Sequence, residues 1–299
     1  MENMTGKVSC FARAYHYKNN PVHIFADGAA ERLLGAEYDR IAQSMSQGIG
    51  FFMPDFRGSA EEGLRLIVDR QLAPPVLGRS AYCERALEGE MRLGCRQYVI
   101  FASGYDSFAI RNHGVSLSVF ELDLPEMLAD KKMRTEKAGL KTNAIYVPCN
   151  LSEASWSEKL MERGFMRDSK SFASLLGISY YLDRDEFKNL LNALSEIMCE
   201  GSVVCFDYPS RDDSRETRIT RALAQGADER MKARYSDREL EALLEGCGFL
   251  VYERLDHREM TRRFFSDYNQ CHPAHAIEAP KGVCYVLAVR KSAVPGGRA

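Results

Sequence analysis

The sequence predicts an α/β fold: a Rossmann-like, mostly parallel sheet flanked by helices and preceded by a helical cap. Three observations carry that reading. From about residue 97 onward, short β-rich runs alternate with amphipathic helical patterns, the rhythm of βαβ units. In the first 95 residues alternating strand patterns are scarce and helical stretches prevail. The 299-residue chain is 45% hydrophobic and 27% charged, which is globular composition with material for a sizeable core. The expected division is a cap over 1–95 and a cofactor-binding core over 96–299.

In the cap, helical stretches are expected around Ala30–Leu34, Tyr38–Met45, Ala60–Gln71 and Ser80–Leu93. The first β-rich run is Gln97–Ala102, followed by the small-residue turn Ser103-Gly104. A second run, Ser116–Leu122, ends in Asp123, and Pro125 stands where a first helical turn tolerates proline. That helix should stop near Gly139. A third run, Ala144–Cys149, ends at Asn150; Ser155 and Glu158 then read as a capping box. After a fourth run, Ser171–Ile178, Asp183 and Glu186 cap a helix with Phe187, Leu190, Leu191, Leu194, Ile197 and Met198 at helical spacing. The fifth run, Ser202–Tyr208, ends in the pair Asp207-Tyr208. Ser236 and Glu239 cap a further helix closed by Gly246 and Gly248. The runs Phe249–Leu255 and Val283–Arg290 complete the sheet, and the tail from Ala293 reads as disordered.

Composition also excludes. Forty Lys and Arg against 42 Asp and Glu leave a net charge of −2, without the basic footprint of a nucleic-acid binder or a polybasic membrane patch. The apolar runs are far shorter than the about 20 residues a membrane helix needs. No apolar h-region follows Met1, so a cytoplasmic protein is expected. The nine cysteines are scattered, with no C-x-x-C pair, and read as reduced, mostly buried thiols; no metal site is expected.

Ligands of an open parallel sheet bind at the carboxyl ends of the strands. That rule selects Ser103, Gly104 and Tyr105 after the first strand, Asp123 with Leu124 after the second, and Asn150 with Leu151 after the third. Gly177 lies in the fourth, and Asp207 ends the fifth. Asp123 stands 19 residues beyond Gly104, near the spacing at which an acidic side chain accepts hydrogen bonds from ribose hydroxyls. An adenosine-containing cofactor follows. The turn Ala102-Ser-Gly-Tyr-Asp-Ser107 lacks two glycines of the dinucleotide fingerprint, which disfavours NAD, and no P-loop occurs. A nucleoside cofactor without phosphate, S-adenosylmethionine, fits better.

These residues carry a resemblance. Gly78–Glu84, Gln97–Phe108 and Val119–Pro125 resemble the leucine carboxyl methyltransferase family, in particular its bacterial S-adenosylmethionine-dependent branch. Phe11–His16, Leu176–Leu182, Phe206–Pro209, Asp267–Asn269 and Ala279-Pro280 support it in the expected order. The resemblance implies a class I methyltransferase sheet with an antiparallel last strand. It implies that Arg79 pairs with the methionine carboxylate of the cofactor, a task suited to a guanidinium fork. It likewise gives Gly104 to the cofactor turn and Asp123 to the ribose. Three departures stand out: Ala102 replaces the first glycine of the turn, Asn150 stands where the family has Asp, and Leu176 where it often has Glu. Ala102 reads as a mild change, and the Asn150 carbonyl oxygen can still meet an adenine amino group.

The expected activity is O-methylation of a carboxylate or hydroxyl on a small-molecule acceptor. The alternatives are a protein C-terminal carboxyl methyltransferase and a cofactor-binding regulatory protein with little turnover. A carboxylate acceptor needs no base at neutral pH, whereas a phenol or alcohol does. The candidates for catalysis are Asp207, His16 and Tyr15. Phe11, Arg13, Tyr15 and His16 of the cap, with Tyr268, Asn269 and His272 of a late loop, are expected to close over the acceptor. Deleting residues 1–20 is then expected to abolish transfer but leave cofactor binding measurable. The oligomeric state is not legible.

Overall fold

The computed structural model describes residues 4–153, 155–211 and 232–292, so the expected tail disorder lies outside the described residues. The cap consists of α1 (Met4–Asn19), α2 (Ala30–Leu34), α3 (Glu37–Gln47), α4 (Ile49–Phe52) and α5 (Ala60–Ile67). A π-helical turn, Val68–Leu72, joins α5 to α6 (Ala73–Arg92). There follow β1 (Gln97–Phe101), α7 (Phe108–Arg111), β2 (Ser118–Asp123), α8 (Pro125–Lys137), β3 (Ala144–Pro148), α9 (Trp156–Glu162) and β4 (Ser171–Leu175). The chain continues through α10 (Arg184–Ile197), β5 (Val203–Pro209), α11 (Asp237–Gly246) and β6 (Phe249–Leu255). It then forms α12 (His257–Met260), a second π turn (Thr261–Phe265), α13 (Ser266–Cys271) and β7 (Val283–Arg290).

The seven strands form one sheet in the order β3-β2-β1-β4-β5-β7-β6. The pairs from β3 to β5 are parallel, and β7 runs antiparallel between β5 and β6. This is the expected fold class, including its antiparallel last strand. Alternation along β1 divides the core: Tyr98 and Ile100 point to one face, Val99 and Phe101 to the other. The first face packs on the cap, so that Phe11, Leu33 and Leu77 share one apolar cluster with Tyr98 and Phe172. The second is covered by α9, α10 and α11 through Trp156, Phe187, Leu191 and Leu244.

Local signals explain most boundaries. Asp183 with Glu186 and Ser236 with Glu239 form reciprocal capping boxes at α10 and α11. Gly139, past the end of α8, takes a φ of +60°, where a helix stop favours glycine. The Ser155–Glu158 box does not form. Ser155 is in the helical region (φ −69°, ψ −8°), so its hydroxyl does not reach the N3 amide. The fourth strand ends at Leu175, three residues short of the apolar run, because the chain turns at Gly177 (φ +69°). The expected loop from Asp267 onward is instead helical as far as Cys271.

All nine cysteines are free, seven of them buried, with Cys199 half-buried and Cys271 exposed. Among the described residues no helix is long and apolar enough to cross a membrane. No group of three His, Cys, Asp or Glu among them could hold a metal ion.

Candidate functional site

Strand order reverses between β1 and β4, and the crevice outside their carboxyl ends is where an open sheet leaves room for a ligand. A cavity of about 230 Å³ lies there. Its floor is the turn Ala102–Asp106 after β1, and its far wall is Ser174 with Leu176–Ile178 after β4. Helix α6 supplies Val76, Arg79 and Ser80. Thr5, Ser9 and Arg13, spaced four apart on one face of α1, cover it. The Ser103 hydroxyl is buried on the floor with no hydrogen-bond partner among the described residues.

The floor is tied to β2. Gly104 N–H donates to Asp123 Oδ2 at 2.7 Å and Leu124 N–H to Oδ1 at 2.8 Å. Gly104 sits at φ +47° and Ala102 at +45°; Ala102 is the only described non-glycine with positive φ. Its replacement of glycine is therefore not mild. It stores strain under the ligand crevice. Burial pushes the Asp123 carboxyl up, against the pull of its two N–H bonds. A carboxylate offers about four lone-pair sites, so capacity for further donors remains. Tyr105 points away: its hydroxyl donates to Asp130 at 2.5 Å, and Arg134 lies over its ring.

The far wall is a second tie. The Arg79 guanidinium lies on the Gly177 backbone so closely that a Cβ there would stand 2.5 Å from Nη1. Behind it Asp207, fully buried, accepts Gly177 N–H at 2.6 Å and the Tyr180 hydroxyl at 2.9 Å. Its backbone carbonyl takes Ser179 Oγ, and Arg79 Nη1 is 3.7 Å from Oδ2. Asp207 thus fastens the wall instead of presenting a free base.

Other expected residues fall elsewhere. His16 is buried in the cap; its Nε2 accepts the Ile24 N–H at 2.9 Å. Burial, with His23, His272 and Arg65 nearby, pulls its pKa down to about 3. Tyr15 packs against Phe11, and burial pushes its hydroxyl up to about 12. Neither lines the cavity, which removes both as bases for a reaction there. Tyr268 and His272 do gather with the cap, His16 and His272 lying on the Tyr268 ring at 5.0 and 4.4 Å, but as a packed cluster outside the cavity. Asn150 Oδ1 is occupied by the Ser152 amide and hydroxyl at 3.1 and 2.7 Å, which turns it away from adenine recognition. Leu124 and Leu151 flank the ends of β2 and β3, Leu124 exposed and Leu151 half-buried.

Comparison with known proteins decides the family. The leucine carboxyl methyltransferase profile matches residues 8–195. A Bacillus subtilis protein named "Putative S-adenosyl-L-methionine-dependent methyltransferase YktD" is 32% identical over 304 residues, covering 97% of this chain and 98% of its own. The chain belongs to the leucine carboxyl methyltransferase family. A Frankia alni relative named in the same way is 33% identical over 118 residues, 38% of this chain and 42% of that protein. Among solved structures, a Synechocystis magnesium protoporphyrin IX methyltransferase superposes with a TM-score of 0.49 at 10% identity, covering 89% of this chain and all of that one. Within this family member, sequence reasoning had missed Thr5, Ser9 and Asp106 in the lining, and had placed Arg13 with the acceptor groups. The i, i+4 polar stripe of α1 was the available signal.

Proposed function

We propose that the protein is an S-adenosylmethionine-dependent O-methyltransferase whose acceptor is a carboxylate of a small molecule. The observation that carries this reading is the composition of the crevice wall. Among the described residues its lining holds neither histidine nor lysine to act as a base, while its two guanidinium groups, Arg13 and Arg79, are assigned in this reading to the cofactor's own carboxylate. The residues fit the cofactor: the unpartnered Ser103 hydroxyl and the spare lone pairs of Asp123 suit a polar nucleoside, and the Gly177 cradle presents Arg79 to a carboxylate. When bound, S-adenosylmethionine supplies a methyl group already activated on a sulfonium. The chain then has to align the acceptor and exclude water. Asp207 is held by Gly177 and Tyr180, and His16 and Tyr15 are buried elsewhere, which leaves Asp106 as the one carboxylate among the described lining residues to serve a phenol or alcohol, whereas an acid acceptor needs no base. A carboxylate is already ionised.

The experiment is a methyl-transfer screen with carboxylic acids, phenols, thiols and peptides bearing free carboxyl termini. Ester formation on a small acid supports the reading. Turnover on peptide termini alone assigns a protein C-terminal carboxyl methyltransferase, and cofactor binding without turnover assigns a regulatory role. In parallel, Arg79→Ala is expected to weaken cofactor binding roughly 10- to 150-fold, the loss of one charge-assisted bond. Arg79→Lys should retain part of the affinity, and titration calorimetry reads both. Unchanged affinity in Arg79→Ala would remove that residue from the cofactor site.

A further inference from the structure

We infer that Asp27, which does not line the cavity, is a positioning residue for the methionine end of the cofactor and acts through Arg13. The inference rests on the cofactor reading above. Asp27 lies between α1 and α2, and its carboxylate is completely buried. Oδ2 accepts Arg13 Nε at 2.8 Å and Ser107 Oγ at 2.7 Å. Oδ1 accepts the amides of Ala29 and Ala30 at 3.2 and 3.1 Å, with Arg111 Nε at 3.5 Å. One carboxylate therefore joins the cap to the turn that floors the crevice.

The geometry of Arg13 gives this junction a consequence. Its Nε is spent on Asp27 and its Nη2 on the Tyr105 carbonyl at 2.6 Å, one residue past Gly104. Nη1 takes part in neither bond, and Arg13 lines the same cavity as Arg79. A guanidinium pinned at two nitrogens keeps its remaining face in one orientation, so less rotamer freedom is lost on binding an anion. Ser107 and Arg111 are locked into the same unit, because Arg111 Nε also donates to Ser107 Oγ at 2.9 Å and its fork grips Glu84. Burial would raise the Asp27 carboxyl, but Arg13 and Arg111 outweigh it and hold the group below its ordinary range, ionised at neutral pH.

Asparagine cannot replace this carboxylate. An amide nitrogen on the Oδ2 side would face Arg13 Nε and the Ser107 hydroxyl, and on the Oδ1 side the two backbone amides. The test compares two ligands. S-adenosylhomocysteine carries the amino-acid end of the cofactor; 5′-methylthioadenosine carries the nucleoside and lacks that end. Titration calorimetry on the wild type, Asp27→Asn and Ser107→Ala reads both. Asp27→Asn is expected to weaken S-adenosylhomocysteine about 10- to 100-fold while changing 5′-methylthioadenosine less than about threefold. In an Arg13→Ala background, Asp27→Asn should cost no further affinity. Equal weakening of the two ligands would make Asp27 a general structural residue, and an unchanged S-adenosylhomocysteine affinity would remove its role; either overturns the inference. Where thermal melts show Asp27→Asn unfolded, Ser107→Ala decides: a selective loss of about threefold or more for S-adenosylhomocysteine supports the inference and its absence refutes it. A wild type that binds neither ligand would instead refute the cofactor reading itself.

Discussion

At the scale of single residues, the crevice is built from backbone conformations that side chains resist. Gly177 (φ +69°) can hold Arg79 against its backbone only because it lacks a Cβ. Ala102 makes the opposite choice at φ +45°, accepting the left-handed strain of about 1–2 kcal/mol where glycine would relax it. Ala102→Gly should relieve that strain, offset by roughly 0.4–1 kcal/mol of extra unfolded-chain entropy. The expected outcome is a net stabilisation of about 0.5–1 kcal/mol, read from urea unfolding; an unstrained Ala102 would give a loss instead. The turn that floors the crevice was legible. Spacing selected Gly104 and Asp123, and the structure joins them by a hydrogen bond, with Gly104 in the cavity lining and Asp123 behind it, because a βα turn and a strand end occupy fixed offsets in such sheets. Asp27 was not legible, since nothing in a lone aspartate predicts five donors converging from three separate segments. Asn150 misled because its side chain closes a local turn with Ser152, a competition with ligand binding that only coordinates reveal.

At the scale of elements, strands were easier to read than the first helix. The β-rich runs alternate between two covered faces and are bounded by glycine and capping residues, so periodicity placed them to within a few residues. Helix α1 carries a continuous buried run from Cys10 to His16, including Arg13 and His16. A helix buried on all sides shows no apolar stripe, and polar groups satisfied inside it erase the rest of the pattern. His16 is the clearest instance, and it has a measurable signature. In the folded protein its pKa lies at about 3, whereas an unfolded histidine titrates near 6.5. Between those values the unfolded chain binds the extra proton, so this group makes stability rise with pH across the window and adds no slope above it. One proton corresponds to about 1.4 kcal/mol per pH unit. His16→Gln, which keeps an acceptor for the Ile24 amide, is expected to flatten unfolding free energy between pH 4 and 6 relative to the parent. Denaturant titrations across that range check it, and parallel profiles would show that His16 is not buried neutral.

At the scale of the whole molecule, cap and sheet are two contributors to one core. On the cap-facing side of the sheet, Tyr98, Val119 and Phe172 share their apolar cluster with Cys10, Phe11, Ala14 and Tyr15 of α1, alongside Phe108 of α7 and Phe265 of the second π turn. The same helix carries Arg13 to the crevice and reaches Asp27, which braces the turn after β1. Reading the sequence alone, residues 1–20 could be taken as a lid that covers a finished cofactor site. Their placement argues against that separation. Removing them strips a large buried side chain, Phe11, together with Tyr15, each worth about 3–5 kcal/mol when truncated in a core. It also leaves the Asp27 carboxylate without its Arg13 partner, a further penalty of about 3–5 kcal/mol for a buried charge. Those losses reach or exceed the about 5–15 kcal/mol by which domains are stable. Deletion of residues 1–20 is therefore expected to abolish the cooperative thermal transition and cofactor binding together, not methyl transfer alone. Circular dichroism melts alongside calorimetric titration distinguish the outcomes: a cooperative melt with retained cofactor affinity would return α1 to the status of a lid.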